Sequence, residues 1–173
     1  MGWHIGFQSI GSIRACFDAT LHNLGTATHV PVAIIVCDVD GLKIVNDTLG
    51  HQAGDEIIRA AAQALTKGVR ELDAVARIGG DEFAILLPGV GRDTLKAVCS
   101  RIKEAAKLHN TQKPNLPLYL SLGYAIRYQP NFNTDEFFRE ADDYMYREKA
   151  AQRQAVREKI YAAIADAGLR ESG

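Results

Sequence analysis

Ala74-Val75-Ala76-Arg77-Ile78-Gly79-Gly80-Asp81-Glu82-Phe83-Ala84-Ile85-Leu86-Leu87 is the stretch on which the architecture turns. Two β-prone runs, 74–78 and 83–87, flank Gly79-Gly80-Asp81-Glu82. Paired glycines accept the positive φ angles of a tight turn, so the stretch predicts a β-hairpin. Upstream, residues 31–38 (PVAIIVCD) are apolar and β-branched and end on a carboxylate. They predict a central strand buried on both faces. Between these strands, Ile57, Ile58, Ala61, Ala62 and Leu65 recur at helical spacing and stop near Gly68, predicting a helix over 51–68.

Downstream of the hairpin, Pro88-Gly89-Val90-Gly91 breaks the chain. Leu95, Val98, Ile102 and Ala105 then share one face of a helix predicted from 92 to about 108. Residues 110–117 read as a polar loop, and 118–126 as a strand interrupted by Gly123. Asn133-Thr134 caps a long helix expected to begin at 135 and reach 167. Near the start, Ile13, Phe17, Leu21 and Leu24 mark one more amphipathic helix. The order helix, strand, helix, hairpin, helix, strand, helix predicts an α/β (α+β) sandwich, with helices covering a mixed central sheet.

A chain of 173 residues suits one domain with one core. Its 47% hydrophobic and 24% charged residues fit a soluble globular protein. No apolar run is long enough to cross a bilayer, and no leader pattern opens the chain, so a soluble, cytoplasmic protein is expected. Cys16, Cys37 and Cys99 are odd in number, widely spaced and lack a Cys-x-x-Cys, which argues against a disulfide framework or a zinc site. A net charge of -1 gives no broad surface for nucleic acid or membrane. Phosphate chemistry must therefore come from a local arrangement.

Asp38 and Asp40 close the first strand with Val39 between them. A period of two puts both carboxylates on one side. Alone, the pair reads as turn or cap residues, because Asp40-Gly41 is an ordinary turn signal. The hairpin alters that balance. Gly79-Gly80 lets backbone amides approach a ligand and cradle phosphate, and Asp81 and Glu82 add two carboxylates at a strand edge. If the tip lies beside Asp38, three or four carboxylates converge, and oxygen ligands of that kind select Mg²⁺ or Mn²⁺. Lys149 and Arg153, four residues apart on the last helix, share a face and suit the β- and γ-phosphates of a nucleotide.

These residues resemble the GGDEF domain of diguanylate cyclases. Asp38-Val39-Asp40-Gly41-Leu42-Lys43-Ile44-Val45-Asn46-Asp47 and Gly50-His51-Gln52-Ala53-Gly54-Asp55 are similar to its first signature. Arg77-Ile78-Gly79-Gly80-Asp81-Glu82-Phe83 is its naming motif without departure. Ser121-Leu122-Gly123-Tyr124-Ala125 resembles the following strand signature, and residues 141–149 (ADDYMYREK) the C-terminal helix signature. The matches fall in order between about Val30 and Arg153.

The resemblance implies a fold related to class III nucleotide cyclases and the polymerase palm. It implies a catalytic domain at 31–153, preceded by a helical lead-in at 1–30 and followed by a helical extension at 154–173. It implies condensation of two GTP into cyclic di-GMP and two pyrophosphates, by two copies of the domain facing each other antiparallel. Asp38, the Val39 carbonyl, Asp81 and Glu82 would hold Mg²⁺ (or Mn²⁺), with Asp81 and Glu82 catalytic and Asp81 accepting the proton of the attacking 3′-hydroxyl. Asn46 and Asp55 would read guanine, with His51 nearby. Gly79 and Gly80 would admit the nucleotide, and Lys43, Lys149 and Arg153 would hold its phosphates. Arg70-Glu71-Leu72-Asp73 stands where the family has the Arg-x-x-Asp of its product-inhibition site, which Arg101 would join.

The chain also departs from the family. Residues 6–14 (GFQSIGSIR) keep little of the Asp-x-Leu-Thr-Gly-Leu-x-Asn-Arg opening, and Gln152 replaces a frequent glycine before Arg153. The amphipathic tail at 150–173 is similar to linkers that lead into HD-type phosphodiesterase domains, so the chain reads as a piece of a larger protein with covalent neighbours. One rival reading is a silent module that binds GTP or cyclic di-GMP; it expects a damaged naming motif, and this one is whole. Another is a different nucleotide cyclase or polymerase-like palm, which the match at Asn46 and Asp55 disfavours.

Overall fold

Strand β1 (Val32–Val39) is buried along its whole length, as its apolar β-branched sequence requires. It is the spine of the computed structural model, which describes residues 30–171 together with Ala19. After β1 come helices α1 (Leu42–Leu49) and α2 (His51–Gly68), then the hairpin of β2 (Ala74–Arg77) and β3 (Glu82–Pro88). Helix α3 (Arg92–Gln112), strand β4 (Leu120–Arg127) and helix α4 (Thr134–Glu171) complete the order. Apart from Ala19, the helix expected at 13–24 lies outside the described residues, as does Cys16. Helix α1 was not legible in the sequence pattern, and α3 runs one turn beyond its expected end.

The expected sandwich is present, but its described sheet is antiparallel throughout, with order β2-β3-β1-β4, where a mixed sheet was expected. The reason is topological. The crossover through α1 and α2 returns β2 in the same direction as β1, as a mixed sheet needs. The hairpin then folds β3 into the space between them, so no parallel pair forms.

Alternation along β1 divides the core. Ala33, Ile35, Cys37 and Val39 pack in one cluster with Ile57, Ala61 and Leu65 of α2 and Leu95 and Ile102 of α3. Val32, Ile34 and Val36 face the other way, with Phe137, Ala141 and Met145 of α4. Each fully buried Val, Leu, Ile, Phe or Met side chain among them stabilises the fold by roughly 1.5–3 kcal/mol. Helix α4 is capped by Asn133, whose Oδ1 accepts from the Glu136 amide at 3.0 Å. It continues without a break past residue 153, and there Val156 and Ile160 enter the first cluster. Helix α4 thus serves one face of the sheet with its first half and the other core with its second. It passes the carboxylate end of β1 on the way.

Gly123 sets how closely it passes. A Cβ on this β4 residue would lie 1.9 Å from the Ala141 carbonyl oxygen and 2.2 Å from the Met145 nitrogen. Only glycine admits the helix backbone onto the strand, and the next turn of α4 then reaches Asp38.

Candidate active site

Asp38 and Asp40 point to the α4 side, with Val39 in the opposite core, as the strand period predicts. Asp38 is 3% exposed, and its partners across the sheet are Glu82 on β3 and Ser121 on β4. Lys149 Nζ donates to Asp38 Oδ2 at 2.7 Å, while Oδ1 is buried without a hydrogen-bond partner. Burial raises the Asp38 pKa, an effect offset in part by the Lys149 hydrogen bond and reinforced by the Asp81 charge. For Lys149, burial opposes the ammonium, but the Asp38 hydrogen bond and the charges of Asp38, Asp81 and Asp40 outweigh it and raise its pKa.

Asp40 is held differently. Ser121 Oγ donates to its carboxylate at 2.9 Å, and Gln152 Nε2 donates to Asp40 Oδ2 at 3.0 Å and to Ser121 Oγ at 2.8 Å. Burial still pushes the Asp40 pKa up to about 6, with Ser121 lowering it and Asp38 raising it. The residue that departs from the family pattern, Gln152, is therefore the hub of a network around the buried Asp40, next in the chain to Val39. No sequence pattern exposes this, because Gln152 and Asp40 are 112 residues apart.

The hairpin tip is closed by the Ile78 and Gly79 amides, which donate to the Glu82 carbonyl at 2.9 and 3.2 Å. The expected positive φ angles are absent from Gly79 and Gly80; among the described glycines they occur at Gly41, Gly50 and Gly89. Close approach explains Gly79 instead, since a Cβ there would lie 2.7 Å from Glu82 Oε2. Arg77 organises the tip: its Nε donates to the Gly79 carbonyl at 3.2 Å and its Nη2 to the Gly80 carbonyl at 2.5 Å. Both carbonyls are thereby turned to Arg77. The Asp81 carbonyl accepts from the Val39 amide at 2.9 Å, which fixes the tip against the end of β1. Burial raises the Glu82 pKa, and the charges of Asp81 and Asp38 add to it.

A cleft of about 750 Å³ opens between this end of the sheet, α1 and α4. Val39, Asp81, Lys43, Lys149 and Arg153 all line it, so the structure gathers five of the expected residues around one opening. Arg157 and Tyr161, unmarked as site residues in the sequence, line it too. Asp38, Glu82, Gly79 and Gly80 do not line it but sit at the adjoining sheet end and hairpin tip. Asn46, His51 and Asp55 do not line it either; they lie where α1 meets α2. There Gly54 is decisive, because a Cβ on it would lie 1.8 Å from Asn46 Oδ1. The motif glycine thus makes room for the Asn46 amide, a role spacing alone did not disclose.

Whether the acidic end suits a divalent cation is decided by its donors. Among the described residues, no group of three or more His, Cys, Asp or Glu side chains closes on one point. The orphaned, buried Asp38 Oδ1 nonetheless leaves a hard oxygen donor unsatisfied, with Glu82 across the strand and the Asp81 charge close enough to raise both their pKa values. An all-oxygen set of this kind suits Mg²⁺ or Mn²⁺.

On the far side of the domain, Arg70 Nη2 pairs with Asp73 Oδ1 at 2.9 Å, and Arg70 also donates to the Pro88 carbonyl at 3.1 Å. The Asp73 hydrogen bond holds the guanidinium pKa above its ordinary value. Arg101 reaches the same loop but not that pair: its Nε and Nη2 donate to the Gly68 carbonyl at 3.1 and 2.8 Å.

The family model described as diguanylate cyclase, GGDEF domain, matches residues 13–155. The chain is 31% identical over 135 residues to the probable diguanylate cyclase DgcT of Escherichia coli, covering 76% of this chain and 30% of that protein. It is 33% identical over 134 residues to the response regulator PleD of Caulobacter vibrioides, covering 73% and 29%. The chain therefore spans less than a third of the length of these relatives. The crystal structure of the GGDEF domain of DgcB from Caulobacter crescentus in complex with c-di-GMP is similar at a TM-score of 0.69 and 25% identity, over 81% of this chain and 86% of that one. Among the described residues, no helix is long and apolar enough to cross a membrane. A sheet end carrying Asp38 beside a Gly-Gly-Asp-Glu hairpin, with a family match over most of its length, places this chain in the GGDEF domain family of diguanylate cyclases.

Proposed function

We propose that the domain condenses two molecules of GTP into cyclic di-GMP with release of two pyrophosphates. The observation that carries this reading is the meeting of Lys149 with Asp38 and of Asp81 with Val39 at one end of one cleft. Cations for phosphate and acids for metal and proton transfer thereby share a site. Asp38, the Val39 carbonyl, Asp81 and Glu82 would hold Mg²⁺ (or Mn²⁺), which supplies Lewis-acid stabilisation of charge on the phosphoryl oxygens. Asp81, half-buried at the cleft wall, takes the proton of the 3′-hydroxyl. Gly79 and Gly80 admit the nucleotide to the loop whose carbonyls Arg77 binds. Lys43, Lys149 and Arg153 neutralise the phosphates, while Asn46 and Asp55, with His51 beside them, read the guanine edge on the other flank of α1.

One cleft serves one GTP, so the product needs two domains face to face, each hydroxyl attacking the α-phosphate held by the other. Pairing supplies the in-line geometry and makes the product two-fold symmetric. Arg70 and Asp73, with Arg101 of α3 reaching the adjoining Gly68 carbonyl, bind the product and restrain synthesis. Arginine's planar fork suits guanine edges and phosphate alike. The reading is tested by incubating the chain with GTP and Mg²⁺, with ATP in a parallel arm. Cyclic di-GMP from the parent chain and none from Asp81→Ala is the expected result. GTP bound without product would favour a silent binding module, and preference for ATP would remove the guanine assignment.

A further inference from the structure

The cleft does not stop at Arg153. Helix α4 carries Lys149, Arg153 and Arg157 at successive four-residue steps, which share one face, and all three line the opening. At 1.5 Å of rise per residue, their Cα positions span about 12 Å of helix axis, twice the span of Lys149 and Arg153 alone. Lys149 is paired with Asp38; Lys43, Arg153 and Arg157 make no ion pair among the described residues. Asp47, on the same face of α1 as Lys43, lines the cleft as well, and among the described residues it makes no ion pair with Arg157. Unpaired cations along one wall of an opening suit an extended polyanion.

Arg157 is exposed, and one contact of its own and one of its helix position it. Its guanidinium lies over the Tyr161 ring, 5.7 Å from the centroid, which orients the planar fork. One turn on, Ile160 is wholly buried, and its Cδ1 lies 2.2 Å from where a Cβ on Gly41 would be. Gly41, at φ 74°, starts α1 and follows Asp40 directly. The second half of α4 is thus locked to the backbone that begins the phosphate wall, and Arg157 is held at the outer end of the cleft.

We infer that Arg157 is a further phosphate-binding residue, which receives the terminal phosphate of the bound nucleotide and then holds the departing pyrophosphate. The inference rests on the GTP reading above. When the 3′-oxygen forms its bond to the α-phosphorus, the bond from that phosphorus to the bridging oxygen breaks. The electron pair leaves with the pyrophosphate, whose added charge Arg157 meets together with Arg153. Arg157 therefore distinguishes a triphosphate from a diphosphate.

The test titrates the full chain, with Mg²⁺, against the α,β-methylene analogues of GTP and GDP, whose carbon bridge resists the attack, and uses inorganic pyrophosphate as competitor. Arg157→Ala is expected to weaken the triphosphate analogue about tenfold, the usual effect of losing a charge-assisted hydrogen bond. The diphosphate analogue should stay within about twofold of the parent, because its chain ends before Arg157. Pyrophosphate should compete correspondingly less well, and Arg157→Lys should recover part of the loss, keeping the charge without the fork. Equal weakening of both analogues, or of neither, would overturn the inference while leaving the GTP reading intact. A parent chain that binds neither analogue would overturn both.

Discussion

Replacing Gln152 with alanine removes one amide from a buried network and leaves everything else in α4 unchanged. Gln152 Nε2 donates to Asp40 Oδ2 at 3.0 Å and to Ser121 Oγ at 2.8 Å, and Asp40 and Ser121 are 7% and 0% exposed. A hydrogen bond to a charged acceptor contributes about 1.5–3 kcal/mol. The Ser121 hydroxyl still serves Asp40, and Gln152 is only half-buried, so water can replace part of what is lost. We therefore expect Gln152→Ala to cost about 2 kcal/mol, and Gln152→Gly about 3, since glycine inside a helix costs about 1 kcal/mol more. Urea unfolding followed by circular dichroism measures this; with a slope of about 2 kcal/mol/M the alanine variant should shift the midpoint by about 1 M. In an Asp40→Asn background the same substitution should cost clearly less, because the charged acceptor is gone. A Gln152→Ala loss below about 0.5 kcal/mol, or one unchanged by Asp40→Asn, would refute the claim that this network holds the end of β1.

Other perturbations bear on separate parts of the site. Gly123→Ala drives a methyl group into the backbone of α4, so it should cost about 3 kcal/mol, the upper end for overpacking, and lower the thermal midpoint by on the order of 10 °C. Gly54→Ala displaces the Asn46 amide from a contact that a Cβ would shorten to 1.8 Å. It should raise the KM for GTP about fivefold with kcat little changed, as steady-state kinetics would report. Arg70→Ala removes the ion pair to Asp73 and should leave synthesis running when cyclic di-GMP is added. Equal inhibition of mutant and parent would remove the inhibitory assignment.

How much of this was legible in the sequence depended on how local the cause was. β1, the hairpin strands and α2 are written in periodicity, because each buries a continuous face of its own residues, whereas α4, which divides its buried residues between two cores, was marked by its Asn133 cap. Helix α1 was not. Asn46, Asp47 and Thr48 are weak helix formers, and only Val45 of its residues is fully buried, so its helicity comes from the elements around it. The antiparallel sheet was missed because strand direction does not determine which strand fills the gap beside β1. At the site, Asp38 and Lys149 could be named from motif residues, but the cause of their meeting, the bare Cα of Gly123, lies in a third element. Gln152 was visible as a departure and not as a hub, and Arg157 lies beyond the motifs altogether. For Gln152 the partner is supplied by chain that is remote in sequence, and for Arg157 the opening it lines is built in part by α1, far from it in sequence.

Product formation by this chain is the most direct test of a cyclase active site. Its nucleotide products should be identified by mass after incubation with GTP and Mg²⁺, across a wide range of chain concentrations. Cyclic di-GMP should form with two pyrophosphates per molecule, at a rate per chain that rises with chain concentration, and Asp81→Ala should form none. A chain that binds GTP and yields no cyclic di-GMP even at the highest concentration would contradict the claim that this cleft is half of a cyclase active site.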